Sequence, residues 1–149
     1  MTASVDVATP LHDQALARLR TQETAAPPEG ATLSIAEMAE RTGVTAHTLR
    51  YYERIGLLEV ERDASGYRVY DASDFGRIVF LTRLRMTGMP IRDLQRYVAL
   101  ANEGDASVPE RQAMMLARRD AVKAQLAELQ FALETIEFKI AVYGGSCAP

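Results

Sequence analysis

The chain has 149 residues, enough for one domain or for a small domain followed by an oligomerisation helix. No apolar run approaches the ~18 residues that a membrane span needs, so we expect a cytoplasmic protein without membrane contact. The net charge of −3 argues against a uniformly basic nucleic-acid binder, and a single cysteine, Cys147, excludes an internal disulfide.

Residues 1–32 are predicted to form a flexible N-terminal extension. The segment TAAPPEG at residues 24–30 has the prolines and glycine that are typical of a linker. Terminal segments of this kind are commonly mobile. The compact part of the chain is expected to begin at Leu33.

A helix-turn-helix is predicted at the start of this compact part. Ser34 and Glu37 have the spacing of a capping box, so a short helix should follow and run to about Arg41. Gly43 permits the left-handed backbone that ends a helix abruptly. Thr45 is a suitable N-cap for a second helix, and two short helices joined by such a turn form the helix-turn-helix pattern.

The second helix of this motif has an unusual surface. Helical spacing places four side chains on one face: His47, Arg50, Tyr51 and Arg54. On the other side, Leu49, Tyr52 and Ile55 can anchor the helix to a core. A face of hydrogen-bond donors without carboxylates indicates contact with the phosphates and base edges of DNA. The alternative is a solvated basic helix without a binding role.

A β-hairpin is predicted next, with strands at residues 60–62 and 67–70 around the turn DASG. A hairpin of this size is typical of a wing beside a helix-turn-helix. Its phosphate donors would be Arg62, Tyr67 and Arg68. The alternative is a hairpin that only covers the core, and the alternation of side chains predicts that either Tyr67 or Tyr70 packs inside.

Three further helices are predicted. The first, at residues 73–87, is apolar around most of its circumference and should be buried on several sides. The segment GMP at residues 88–90 ends it. The next helix ends at Gly104, and its inner face consists of Ile91, Leu94, Val98 and Ala101. Residues 109–143 then form one long helix.

The long helix carries an apolar seam with the alternating four-three spacing of a heptad repeat after Val122. The seam residues are Met115, Val122, Leu126, Leu129, Leu133, Ile136 and Ile140. Only Arg119 interrupts them. A helix of this length extends ~50 Å, and its seam would stay wet in a single chain. A second copy of the chain is the simplest cover, so we expect a homodimer.

These segments resemble the MerR family of bacterial transcription regulators. The resemblance rests on IAEMAERTGVT at residues 35–45, TLRYYERIGLL at 48–58, SGYRVY at 65–70 and the stretch at 84–94. It implies a winged helix-turn-helix, a two-helix connector and an antiparallel coiled-coil dimer. It further implies that the dimer binds the spacer of a promoter used by RNA polymerase, and that an effector switches transcription by bending and untwisting that DNA.

The resemblance also implies roles for single residues. Arg50, Tyr51 and Arg68 match backbone-contacting positions of the family, while Thr45, His47 and Thr48 lie nearer the base edges. Metal-sensing members place cysteines at both ends of the dimerisation helix, whereas this chain has only Cys147, a candidate electrophile sensor or an ordinary tail residue. No metal site, cofactor or separate effector domain is expected.

The predicted fold is therefore mainly α-helical. The winged helix-turn-helix head spans residues 33–71, the connector 72–104, the dimerisation helix 108–143 and the tail 144–149. The function expected is a dimeric DNA-binding transcriptional regulator. The alternative is a helical protein–protein interaction module with a degenerate helix-turn-helix, because residues 33–74 carry five arginines against eight acidic residues. An enzyme is not expected, since no nucleophile has an adjacent base.

Overall fold

The computed structural model describes residues 25–144. The N-terminal extension up to residue 24 and the tail with Cys147 lie outside the described residues. The chain divides into two compact units, of which the first ends at Met86 and the second begins at Thr87. The two connector helices predicted over residues 72–104 thus fall in different units.

The first two helices form the predicted helix-turn-helix, α1 (Ile35–Thr42) and α2 (Ala46–Arg54). The capping box is present, because Glu37 N donates to Ser34 Oγ and Ser34 N donates to the Glu37 carboxylate. Gly43 ends α1 with a φ of 72°, in the left-handed region that favours glycine. All three local predictions for this motif, including the Thr45 N-cap, are confirmed.

The predicted hairpin consists of strands β1 (Glu61–Arg62) and β2 (Arg68–Val69), which pair in antiparallel register with Arg62 opposite Arg68. Both strands are shorter than predicted. Tyr70 extends the pairing through a bridge to Leu33, in which Leu33 N donates to Tyr70 O over 2.7 Å. This bridge fastens the end of the hairpin to the start of the head.

Helix α3 (Ala72–Met86) completes the first unit and packs on α1. Its start is closed by reciprocal bonds, since Asp71 N donates to Asp74 Oδ2 and Asp74 N donates to Asp71 Oδ1. The prediction that this helix is buried on several sides is wrong for the single chain. One face is buried, formed by Phe75, Ile78, Leu81 and Leu84. Phe80 and Met86 lie off that face and are 38% and 78% exposed.

The second unit contains helix α4 (Ile91–Glu103), a 3-10 turn (Asp105–Ser107) and the long helix α5 (Val108–Val142). Helices α4 and α5 pack on each other. Leu94 and Val98 are buried as predicted, Leu100 is buried although the predicted inner face omitted it, and Ile91 and Ala101 are half-buried. Ser107 links the helices, because its hydroxyl donates to Leu100 O over 2.5 Å.

Candidate nucleic-acid interface

The recognition surface of the head begins with helix α2, which is held by its buried side. Leu49 is fully buried and Tyr52 is 4% exposed, so both anchor α2 in the core of the first unit. His47, Arg50 and Arg54 are exposed on the other side, and Tyr51 is half-buried. The Arg54 guanidinium lies over the Tyr51 ring, 5.3 Å from its centroid. This contact restrains a cation within the predicted face.

Thr45 and Thr48 both take part in the N-terminal cap of α2. The Thr45 hydroxyl accepts from Thr48 N over 3.1 Å and lies 3.0 Å from the Thr48 hydroxyl. A side chain that satisfies a free amide of the first turn is held in place at the helix start. Any contact of these hydroxyls with DNA must therefore share them with the cap.

The wing supplies the other half of the surface. Tyr67 is 73% exposed, whereas Tyr70 is fully buried, which confirms that one of the two packs inside. The turn is tied by Asp63, whose Oδ1 accepts from the backbone amides of Ser65 and Tyr67. Arg62 donates from Nη1 to Gly66 O over 3.0 Å, so it supports the turn as well as adding charge.

A carboxylate joins the wing to α2, and the sequence-based prediction missed it. Glu53 Oε2 accepts from Arg68 Nε over 2.5 Å, and Arg62 Nη2 lies 3.8 Å from Glu53 Oε1. Glu53 is the only acidic residue among residues 45–58. The sequence could have indicated this contact, because a single acid in a basic segment is expected to pair with a cation from elsewhere in the chain.

An open cleft of about 510 Å³ lies between α2 and the wing. Its lining residues are Arg50, Glu53, Arg54 and Arg68. Three guanidinium groups and one carboxylate make the cleft cationic although the head is acidic overall. The structure thus brings three of the predicted DNA-contacting arginines together, while His47 and Tyr67 do not line this cleft.

Tyr70 is buried beneath this surface. Burial raises the pKa of its phenol, and the nearby charge of Glu53 raises that pKa further. The hydroxyl has no hydrogen-bond partner among residues 25–144. Tyr70 is therefore a packing residue with an unsatisfied polar group.

The predicted seam residues lie along α5 in the second unit. Leu126, Leu129 and Leu133 are 60%, 67% and 47% exposed, and Ile136 and Ile140 are 57% and 41% exposed. Met115 and Val122 are half-buried, and α5 contains no buried residue. An exposed apolar surface of this size indicates that another surface covers these leucines and isoleucines.

The described part of the chain contains neither a candidate metal site nor a candidate membrane span. Within residues 25–144, no group of three or more His, Cys, Asp and Glu side chains is arranged to hold a metal ion. No helix of that range combines the length and apolar character needed to cross a membrane.

Comparison with known proteins gives consistent results. The family described as "MerR HTH family regulatory protein" matches residues 33–100, and that described as "MerR, DNA binding" matches residues 75–137. An uncharacterised HTH-type transcriptional regulator of Haemophilus influenzae is 36% identical over 113 residues, covering 75% of this chain and 84% of that protein.

Two solved structures are also similar. HiNmlR, a MerR family regulator lacking the sensor domain and bound to promoter DNA, has a TM-score of 0.71 and 36% identity, with 76% of this chain and 87% of that chain covered. A MerR family transcriptional regulator from Bacillus thuringiensis has a TM-score of 0.69 and 25% identity, with coverage of 76% and 100%. These relatives are described as regulators, in agreement with the expectation that the chain is not an enzyme.

Proposed function

Because this chain belongs to the MerR family of helix-turn-helix regulatory proteins, we propose that it binds promoter DNA as a homodimer through α2 and the wing. The observation that supports this most is the cleft between them, in which Arg50, Arg54 and Arg68 converge. A DNA phosphate placed there would meet several guanidinium donors at once. Arginine binds phosphate well because its planar donors match the phosphate oxygens.

The residues of this surface divide into two groups, one proposed to contact phosphates and one proposed to contact base edges. Arg50, Arg54 and Arg68 would hold the phosphate backbone, with Tyr51 and Tyr67 beside them. His47, Thr45 and Thr48 lie at the N-terminal end of α2, the end that a recognition helix commonly presents to base edges. Phosphate contacts fix position and register, whereas base-edge contacts provide sequence preference.

The proposed dimer is supported by the exposed seam of α5. Two copies of the seam can cover each other in an antiparallel coiled coil, which would give one molecule two DNA-binding heads. The domains proposed are the head over residues 33–71, the connector over 72–104 and the dimerisation helix over 108–143. The residues proposed to form the dimer contact are Met115, Val122, Leu126, Leu129, Leu133, Ile136 and Ile140.

The mechanism proposed is that of the family. The dimer binds the spacer between promoter elements in the cytoplasm, and an effector shifts it to a state that bends and untwists the spacer for RNA polymerase. Bending a site of 20–30 base pairs by 40–90° costs about 1–6 kcal/mol, an amount that a set of phosphate contacts can supply. Cys147 stays a candidate sensor at the end of the chain.

The experiment that tests DNA binding compares Arg50→Ala with Lys123→Ala. Both variants lose one positive charge, but Lys123 lies on α5, outside the head. Each is titrated with a duplex selected by the wild-type chain from a random pool, at several salt concentrations. We expect Arg50→Ala to weaken binding about 5- to 150-fold and to lower the slope of log K against log salt by about 0.9, while Lys123→Ala leaves both unchanged.

The dimer is measured in parallel, since a lost dimer would also weaken binding. Equal binding by Arg50→Ala and wild type at every salt concentration would contradict the assignment of α2 as the recognition helix. Failure of the wild-type chain to select any duplex, together with recovery of a stable heteromeric partner, would favour the protein–protein interaction module instead.

A further inference from the structure

Glu53 is a carboxylate in a cleft that is proposed to receive a phosphate. The negative charges of the Glu53 carboxylate and a DNA phosphate repel each other, so Glu53 weakens DNA binding unless it has a compensating role. Its side chain is 24% exposed and contacts two wing arginines, Arg68 at 2.5 Å and Arg62 at 3.8 Å. The carboxylate therefore faces the wing from α2.

The bond between Glu53 and Arg68 uses one edge of the guanidinium. Arg68 donates from Nε to Glu53, and this bond does not use the outer end of the guanidinium, which is formed by one N–H of each Nη atom. Arg68 also lines the cleft. A guanidinium can thus be held by the carboxylate on one side while its outer donors serve an anion on the other side.

The ion pair between Glu53 and Arg68 restrains the Arg68 side chain. Arg68 and Glu53 are 26% and 24% exposed, so their ion pair is screened less than a fully solvated pair. The two residues are separated by 15 positions in the sequence and belong to β2 and α2. Their bond is therefore a direct link between the wing and the recognition helix.

We propose that Glu53 is a positioning residue for DNA binding, which holds Arg68 against α2 with its outer donors turned to the phosphate. The inference rests on the proposed function. An arginine ordered before binding loses less side-chain freedom when the complex forms, and this preorganisation is worth about three- to tenfold in affinity per side chain. Glu53 acts through Arg68 and makes no bond to DNA.

The opposite role would change the sign of the effect. If Glu53 competed with the phosphate for Arg68, its removal would free a cation and strengthen DNA binding. If it preorganises Arg68, its removal weakens binding to the selected duplex, although a negative charge has been taken away. The direction of the change therefore distinguishes the two roles.

The test uses a double-mutant cycle of Glu53→Gln and Arg68→Ala in the full chain, with the duplex selected by the wild-type chain and a scrambled duplex of equal length. We expect Glu53→Gln to weaken binding to the selected duplex about three- to tenfold and to weaken binding to the scrambled duplex as well, because both duplexes carry the phosphates that Arg68 is proposed to bind. In the Arg68→Ala background, Glu53→Gln should cause no further loss, because the residue it positions is gone.

The matched control is Glu40→Gln, which removes the same charge from an exposed position on α1. It should not weaken binding. Thermal unfolding of each variant identifies a folding defect, and where Glu53→Gln is unfolded, Arg68→Lys replaces it. A lysine keeps the charge but has no second edge, so the same three- to tenfold loss is expected.

Several results would overturn the inference. One is binding by Glu53→Gln that is equal to or tighter than wild type. Another is a loss of DNA affinity from Glu53→Gln in the Arg68→Ala background that is as large as its loss in the wild-type background. A third is wild-type affinity in Arg68→Lys. Failure of the wild-type chain to bind any selected duplex would refute the proposed function itself, and it is recognised before any variant is made.

Discussion

Replacing Leu129 with alanine tests whether the seam of α5 forms the dimer. Complete burial of a leucine side chain contributes about 1.5–3 kcal/mol. Leu129 is 67% exposed in the single chain, so its cover in a dimer contributes about 1–2 kcal/mol per chain. An alanine side chain would keep a small part of this free energy, so the substitution removes about 1 kcal/mol from each chain. The dimer contains two copies, so Leu129→Ala should raise its Kd about 30-fold.

Phe131→Ala is the matched control. Phe131 is 69% exposed, nearly the same as Leu129, but it lies two residues further and roughly 200° around the helix, off the seam. Sedimentation equilibrium over a range of concentrations gives the Kd of each variant, and circular dichroism checks that α5 stays helical. If Phe131→Ala weakens the dimer as much as Leu129→Ala does, the heptad reasoning is refuted and another face of α5 makes the contact.

Three further predictions concern the first unit. Gly43→Ala should lower the free energy of unfolding by about 1 kcal/mol, because Gly43 has a φ of 72°, whereas Gly76→Ala within α3 should raise it; urea unfolding of both variants checks the opposite signs. Tyr70→Phe should leave stability unchanged or raise it by about 1 kcal/mol, since it removes a buried hydroxyl without a partner, and a lower thermal midpoint would show that the hydroxyl is bonded. Burial is the largest cause of the raised pKa of Asp74, so its charge opposes folding above that pKa, and this cost disappears as the pH falls below the ordinary pKa of 3.8. Asp74→Asn should therefore be at least as stable as wild type at pH 7, with an advantage that shrinks towards pH 4; an advantage that grows on acidification would contradict this sign.

Local features of the chain could be predicted from the sequence alone. The capping box of Ser34 and Glu37, the Thr45 cap and the left-handed Gly43 each depend on residues within four positions of one another. Such short-range bonds depend on few residues and little on distant packing, so the local pattern predicts them well. The exposed arginine face of α2 follows from helical periodicity in the same way.

Tertiary packing determined the rest. Helix α3 is apolar around most of its circumference, and only its packing on α1 decides that Phe75 and Ile78 are buried while Phe80 and Met86 are exposed. The partner of Glu53 is Arg68, which lies 15 positions away in β2 of the antiparallel hairpin. Helical and strand periodicity assign a residue to a face, but they do not specify which distant side chain meets it. The sequence alone therefore predicts a basic recognition helix and a wing, whereas the tertiary structure shows the acid that joins them.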